Sequence, residues 1–398
     1  MAFRILHSSD WHLGKRLYKS ERLDEQKLFL NWLIEEIKIQ NIDLLLIAGD
    51  IFDTPFPPTE ALKLYFEFLR KICDETKAQV ILIAGNHDSG RFLEAPVPFL
   101  KEKSIHILGQ IPIKDPQDAL IRFKNSQNDE VEIMALPFFR NHELEDMAKD
   151  LNFEYAGDNI GELFDMYFTS KLPQKTCPRL IMGHHQFGLA ESEGSELTLS
   201  ISGLHSIPCE PFMKHFDYVA LGHIHRPTVL KTSPPVIYSG SPIPWRFSET
   251  SKKYIFSITV ENAKLSYEKQ LVPVFRKLIR IELEQDHWES ELKECLKDLE
   301  QTPLSPFAEV HIKLKAPSHK ITEQVREQLK ENNIELLAYH SELPETVYEG
   351  KASSSWRELN LEDLLISHFK EKFKTDEIPN DLSESFKELL SMASKEDT

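Results

Sequence analysis

Residues 44–53 read LLLIAGDIFD and residues 80–88 read VILIAGNHD. Each is a continuous apolar run that passes through Ala-Gly into polar residues able to hold a metal. Three more runs share this shape: FRILHSSD from Phe3, RLIMGHH from Arg179 and YVALGHIH from Tyr218. Unbroken apolar segments of this length are expected of strands covered on both faces. Between them lie helix-like stretches. Residues 28–39 are dense in Leu, Ile, Phe and Trp at helical spacing, and PPTEALKLYFEFLRKICDE enters through Pro57-Pro58-Thr59 before an amphipathic run. Strand and helix in alternation predict an α/β layered fold.

The ends of the five runs carry the chemistry. Asp10 and His12 follow the first, Asp50 the second, Asn86 and His87 the third, His184 and His185 the fourth, His223 and His225 the fifth. Functional groups in α/β sheets gather at the carboxyl ends of strands, where loops are free to present them. Gly49, Gly85, Gly183 and Gly222 precede these groups, as expected where a side chain would crowd its neighbours. The donors are carboxylate, imidazole and one amide without sulfur, a set suited to manganese, iron or zinc.

Composition narrows the class. A chain of 398 residues with 41% hydrophobic content can build a large core and an appended unit. The N-terminus has no basic, apolar and cleavable pattern, and no apolar run nears the ~20 residues that span a bilayer. A cytoplasmic protein is expected, with no membrane association. Cys73, Cys177, Cys209 and Cys295 are dispersed, which excludes a C-x-x-C site and argues for ordinary thiols. A net charge of −17 opposes nucleic-acid binding through the chain's own field, so a bound metal pair or a basic partner would have to supply positive potential.

Near Pro273 the texture changes. KLIRIEL, WESELKECLKDLEQ, AEVHIKLK, ITEQVREQLKENN and IELLAY read as a β-α-β-α-β unit. The expected division is a catalytic domain over residues 1–272, a small α+β capping domain over 273–344, and a linker with amphipathic helices over 345–398. In that tail Leu361, Leu364, Leu365, Phe369 and Phe373 form one helical apolar stripe, and Phe386, Leu389 and Leu390 begin another.

Asp10-x-His12, Gly49-Asp50-x-x-Asp53, Gly85-Asn86-His87-Asp88, Gly183-His184 and Gly222-His223-x-His225 resemble, in order, the five motifs of the calcineurin-like metallophosphoesterases. SDWHLGKRL, GDIFDTPFPP, GNHDSGRF and YSGSPIPWRFSE are similar to the SbcD branch, the nuclease subunits of bacterial SbcCD complexes and relatives of double-strand-break repair nucleases. Protein phosphatases of the superfamily would carry G-D-x-x-D-R-G and G-N-H-E, where this chain has Thr54-Pro55 and Asp88.

The resemblance implies a layered β-sandwich flanked by helices and a centre of two divalent ions, manganese in most members. Asp10, His12 and His225 would hold one ion, Asn86, His184 and His223 the other, with Asp50 bridging. His87 would act as the catalytic acid, and Asp53 and Asp88 would orient histidines from behind. It also implies a DNA substrate with double-strand ends or hairpins, an SbcC-type ATPase partner with a coiled coil that the tail would grip, and a homodimer within a heterotetramer. The residues alone leave several points open. His185 competes with His184 as ligand, Asp53 could simply cap its loop, and Lys15, Arg16 and Arg91 either meet DNA phosphates or are surface charge. A small-molecule phosphodiesterase and a non-catalytic scaffold for the ATPase stand as alternative functions.

Overall fold

The computed structural model describes residues 2–100, 104–112, 116–188, 206–297, 299–315 and 318–343. The expected tail helices lie outside these residues. Two six-stranded sheets form the centre. In the first, Phe3–Ser8 pairs in parallel with Leu44–Ala48, which pairs with Gln79–Ile83 and that with Ile105–Leu108; Tyr254–Glu261 runs antiparallel on the other side of Phe3–Ser8 and carries Lys264–Leu271 at the edge. In the second, Glu130–Leu136, Arg179–His184, Tyr218–Gly222 and Pro235–Tyr238 are parallel neighbours, flanked by the antiparallel edges Leu120–Lys124 and Thr228–Thr232.

Three apolar layers explain why residues 44–48 and 80–83 include no polar side chain. Leu44, Leu46, Ala48, Ile81 and Ile83 of the first sheet share one core with Leu180, Met182, Tyr218 and Ala220 of the second, so the sheets pack face to face. The alternate residues Leu45, Ile47, Val80 and Leu82 point outward beneath helices Leu23–Gln40 and Thr59–Glu75. Thr59–Glu75 buries Ala61, Tyr65, Phe68, Leu69 and Ile72, the single face expected of an amphipathic helix entered after Pro57-Pro58. On the far side Ile181, Val219 and Leu221 lie beneath Asn141–Asp150, Ile160–Lys171 and Glu210–His215. The result is a helix, sheet, sheet, helix sandwich, the layered α/β fold that the apolar runs predict in the two-sheet form that the resemblance implies.

Beyond the sandwich, Leu278–Glu284, Trp288–Lys297, Phe307–Lys313, His319–Glu331 and Glu335–Glu342 follow one another as strand, helix, strand, helix, strand. Their three strands form a separate sheet with Phe307–Lys313 in the middle, parallel to Leu278–Glu284. Ile281, Leu283, Val310 and Ile312 are buried on it, as are Leu292, Val325 and Leu329 of its helices. The four cysteines are free thiols. No helix among the described residues is long and apolar enough to cross a membrane.

Candidate metal centre

Parallel strands from both sheets end at one edge of the sandwich, and their exits converge there. Asp10 N donates to Gly49 O and His12 N to Asp50 O, both at 3.0 Å, so the first two exits run alongside each other. Asp10, His12, Asp50 and His223 have φ of 54°, 43°, 51° and 97°, a left-handed backbone that non-glycine residues seldom adopt. A Cβ on Gly85 would come within 2.1 Å of Asp50 Oδ1, and one on Gly49 within 2.2 Å of His184 Nδ1. Glycine is required at both because the next exit passes through that space. At Gly183 the nearest atom would be the Leu221 Cδ2 at 3.3 Å, a tight contact that a small shift of that side chain would relieve.

Donor atoms of Asp10, His12 and His225 lie within 4.8 Å of one another, as do those of Asp10, Asp50 and His184. Asp50 Oδ2 is 3.5 Å from His12 Nε2 and 3.3 Å from His184 Nε2, which places its carboxylate between the two groups. Asn86 Oδ1 is 3.2 Å from His184 Nε2 and 3.0 Å from His223 Nδ1. The His12 and His225 Nε2 atoms face each other at 3.0 Å. Such convergence of buried nitrogen and oxygen donors fits divalent ions of the manganese, iron and zinc class. His184 Nδ1 meets the Ala48 carbonyl at 2.7 Å, the kind of outer bond that turns the opposite ring nitrogen toward a metal.

The adjacent histidine is elsewhere. His185 Nε2 accepts from Phe139 N at 2.9 Å, and its ring stacks on Phe138 at 4.6 Å. Strand alternation explains the split, since His184 shares its face with Leu180 and Met182, whereas position 185 turns toward the helix-side core. His87 N donates to Asp50 Oδ1 at 2.9 Å, and its Nδ1 to the Asp53 carbonyl at 2.8 Å, leaving Nε2 as the nitrogen for chemistry. The Asp53 carboxylate is 3.3 Å from His12 Nδ1 and 2.5 Å from Lys15 Nζ.

Asp88 departs from its expected part. Its carboxylate accepts from the amides of Ile51, Phe52 and Gly85 at 3.1, 2.9 and 2.8 Å, so it holds the backbone of two exits and orients no histidine in these contacts. Three convergent N–H groups at the strand ends draw it there. Of the expected phosphate-binding cations, Lys15 is occupied by Asp53, Arg16 pairs with Glu21 at 2.7 Å, and Arg91 stands exposed on Gly90–Glu94.

Other contributors follow none of the five apolar runs, although two of them, Trp245 and Glu249, lie in the stretch YSGSPIPWRFSE. Glu249 Oε1, fully buried, lies 3.6 Å from His225 Nδ1, while its Oε2 accepts from Lys253 Nζ at 2.6 Å. Trp245 donates to the Asp10 carbonyl at 3.4 Å and packs its ring 5.8 Å from that of His12. Behind it Arg22 stacks on Trp245 and pairs with buried Glu25, which also receives Arg276 Nε at 3.1 Å; Arg276 in turn covers Phe307 of the small sheet. Glu249→Gln should keep Lys253 bonded yet weaken manganese binding by about 10–100-fold, because a carboxylate behind a ligating histidine raises its basicity. Calorimetric titration measures this, and unchanged affinity would show that Glu249 serves the fold alone.

Electrostatics set the protonation of these donors. Burial lowers His12 to about 4 and His223 to about 3, so both are neutral near pH 7. At His184 burial opposes protonation but is outweighed by Asp50 and Asp10, and the pKa rises to about 9. Asp50 moves well below the usual carboxylate range, its burial overcome by His184, His12 and His87. A proton therefore sits on His184 where a metal would bind. It stabilises the metal-free fold below the ordinary histidine range, and that contribution is lost as pH rises through about 9. Metal uptake near pH 7 should expel this proton, so affinity should rise about tenfold per pH unit and level off above about 9. Titrations in buffers of different ionisation enthalpy count the proton; zero release at pH 7 would contradict the assignment.

The calcineurin-like phosphoesterase family matches residues 3–227, more than half of the chain and all five strand exits. The chain belongs to this family. Among calcineurin-like phosphoesterases it is similar to the SbcD subunit of the nuclease SbcCD from Bacillus subtilis, 33% identical over 267 residues that cover 66% of each chain. The SbcD subunit from Escherichia coli K12 is 32% identical over 68% of each chain. That from Staphylococcus epidermidis is 28% identical over 98% of each, which carries the likeness through the small sheet and the tail. The chain is thus a phosphoesterase of the SbcD group, and the family name implies the divalent metals that the strand-end donors fit.

Proposed function

We propose that this phosphoesterase is a manganese-dependent DNA nuclease with 3′→5′ exonuclease and endonuclease action on double-strand ends and hairpins. The observation that carries the reading is His87, held beside Asp50 and Asp53 in a strand-end cluster whose relatives are named nucleases. Asp10, His12 and His225 would hold one ion, Asn86, His184 and His223 the second, with Asp50 shared; together the ions would polarise the scissile phosphate and lower the pKa of a water. The protein does the rest. The Asp53 carbonyl fixes the His87 ring, and a proton on Nε2 passes to the leaving 3′ oxygen as the bond to phosphorus breaks. Asp53 keeps His12 aligned, and Asp88 keeps both loops in register.

The same relationship supports action with an SbcC-type ATPase in DNA repair, recombination and replication in the cytoplasm, within a heterotetramer built on a homodimer of this chain. Phe56, Phe66 and Phe99 are exposed and would be available to such a dimer. The tail stripe would dock on the base of the ATPase coiled coil as helices in a groove. Purified chain with manganese should hydrolyse both linear duplex DNA and bis-p-nitrophenyl phosphate. Hydrolysis of the ester alone would identify a small-molecule phosphodiesterase, and of neither a scaffold.

A further inference from the structure

The three-stranded sheet holds a second histidine cluster that the strand-end chemistry does not use. Glu309 and His311 stand two residues apart on Phe307–Lys313 and so share a face; His340 stands on Glu335–Glu342 beside them. Donor atoms of all three lie within 4.8 Å of one another. His340 Nε2 is 3.7 Å from Glu309 Oε1, and His311 Nε2 is 3.2 Å from Glu309 Oε2. The His311 nitrogen is buried, and this carboxylate is the polar group beside it. The two rings stack at 4.6 Å with 27° between their planes, so both present a nitrogen to the same carboxylate from one side.

Charged side chains surround the cluster. Register sets Arg280 across from Glu309 and Glu282 across from His311. Arg280 Nε is 3.8 Å from both Glu282 Oε1 and Glu309 Oε2, and Arg246 lines the same cavity, so an ion there would sit among charges of both signs. Tyr18 donates to Glu309 Oε1 at 2.5 Å, which leaves Oε2 for another partner. Glu309 and His311 line a cavity of about 350 Å³, and the His340 side chain is 48% exposed, so an ion has a path in and room for water.

We propose that Glu309, His311 and His340 form a zinc-class metal site, distinct from the strand-end centre. Two imidazoles and one carboxylate with an open fourth position are a set that zinc takes, whereas calcium calls for oxygen ligands. An ion there ties the edge strand Glu335–Glu342 to the middle strand and reaches, through Glu309, the Tyr18 loop that follows the first ligand motif.

The test uses the full chain carrying Asp50→Asn, which silences the strand-end centre. This protein should retain one zinc per chain after dialysis, and zinc should raise its Tm. Adding His340→Ala should lower zinc affinity by more than the roughly 10–100-fold that attends loss of an outer partner and abolish the Tm rise; adding His311→Ala should do the same. His340 is half-exposed, so its loss should leave the metal-free Tm near that of the parent. Absence of stoichiometric zinc in the Asp50→Asn protein, or zinc binding unchanged by either second substitution, overturns the site. Because the readout is binding and stability, failure here leaves the nuclease reading untouched, and a nuclease that fails its own assay leaves this site untouched.

Discussion

Asp50→Asn should take metal and activity away together. The carboxylate lies between His12 and His184 and receives the His87 amide. Asparagine keeps the shape and can keep that amide bond, so the fold should survive. What disappears is the negative charge shared by two dications in a buried site, where little solvent screens the loss. Manganese affinity should fall by more than the roughly 10–100-fold that attends loss of an outer partner, and hydrolysis of bis-p-nitrophenyl phosphate should drop to background. A second signature follows from the same charge. Without it His184 loses the main influence that raises its pKa to about 9, so the proton released on metal uptake near pH 7 should largely vanish. Retention of both metals at native affinity would sink the bridging assignment.

His87→Asn should separate binding from turnover. His87 has Nδ1 committed to the Asp53 carbonyl and donates its amide to Asp50, but Asn86 and the other expected ligands are placed without it. The variant should bind manganese and DNA as the parent does while kcat falls by about 10²–10⁴, the usual worth of a positioned general acid. A parallel fall in metal affinity would make His87 a ligand.

The sandwich was legible because its central strands are covered twice. Leu44, Leu46 and Ala48 face the opposite sheet while Leu45 and Ile47 face helices, so no position tolerates polarity and the runs announce themselves. The edge strands Thr228–Thr232 and Lys264–Leu271 are half-exposed and mixed in composition, and their place follows from pairing across the sheet, which no local pattern records. The candidate ligands could be read because each follows such a run. Glu249 follows none: it reaches His225 only because the fold returns the chain to the site. Asp88 was recognisable as a participant, but its bonds to three amides depend on two loops meeting. The separation of His184 from His185 was available in principle from the two-residue period of the strand that precedes them.

The left-handed backbone at Asp10, His12, Asp50 and His223 has a consequence for how this protein can evolve or be engineered. Each non-glycine residue held there costs about 1–2 kcal/mol, and the sandwich must carry several kcal/mol of built-in opposition to its own folding. Function and robustness therefore pull against each other at the same four positions. Glycine at any of them should give a metal-free protein that melts at a higher temperature than the corresponding alanine variant, although both lack the same donor. A lineage that abandoned the chemistry would have a thermodynamic reason to let these residues drift toward glycine.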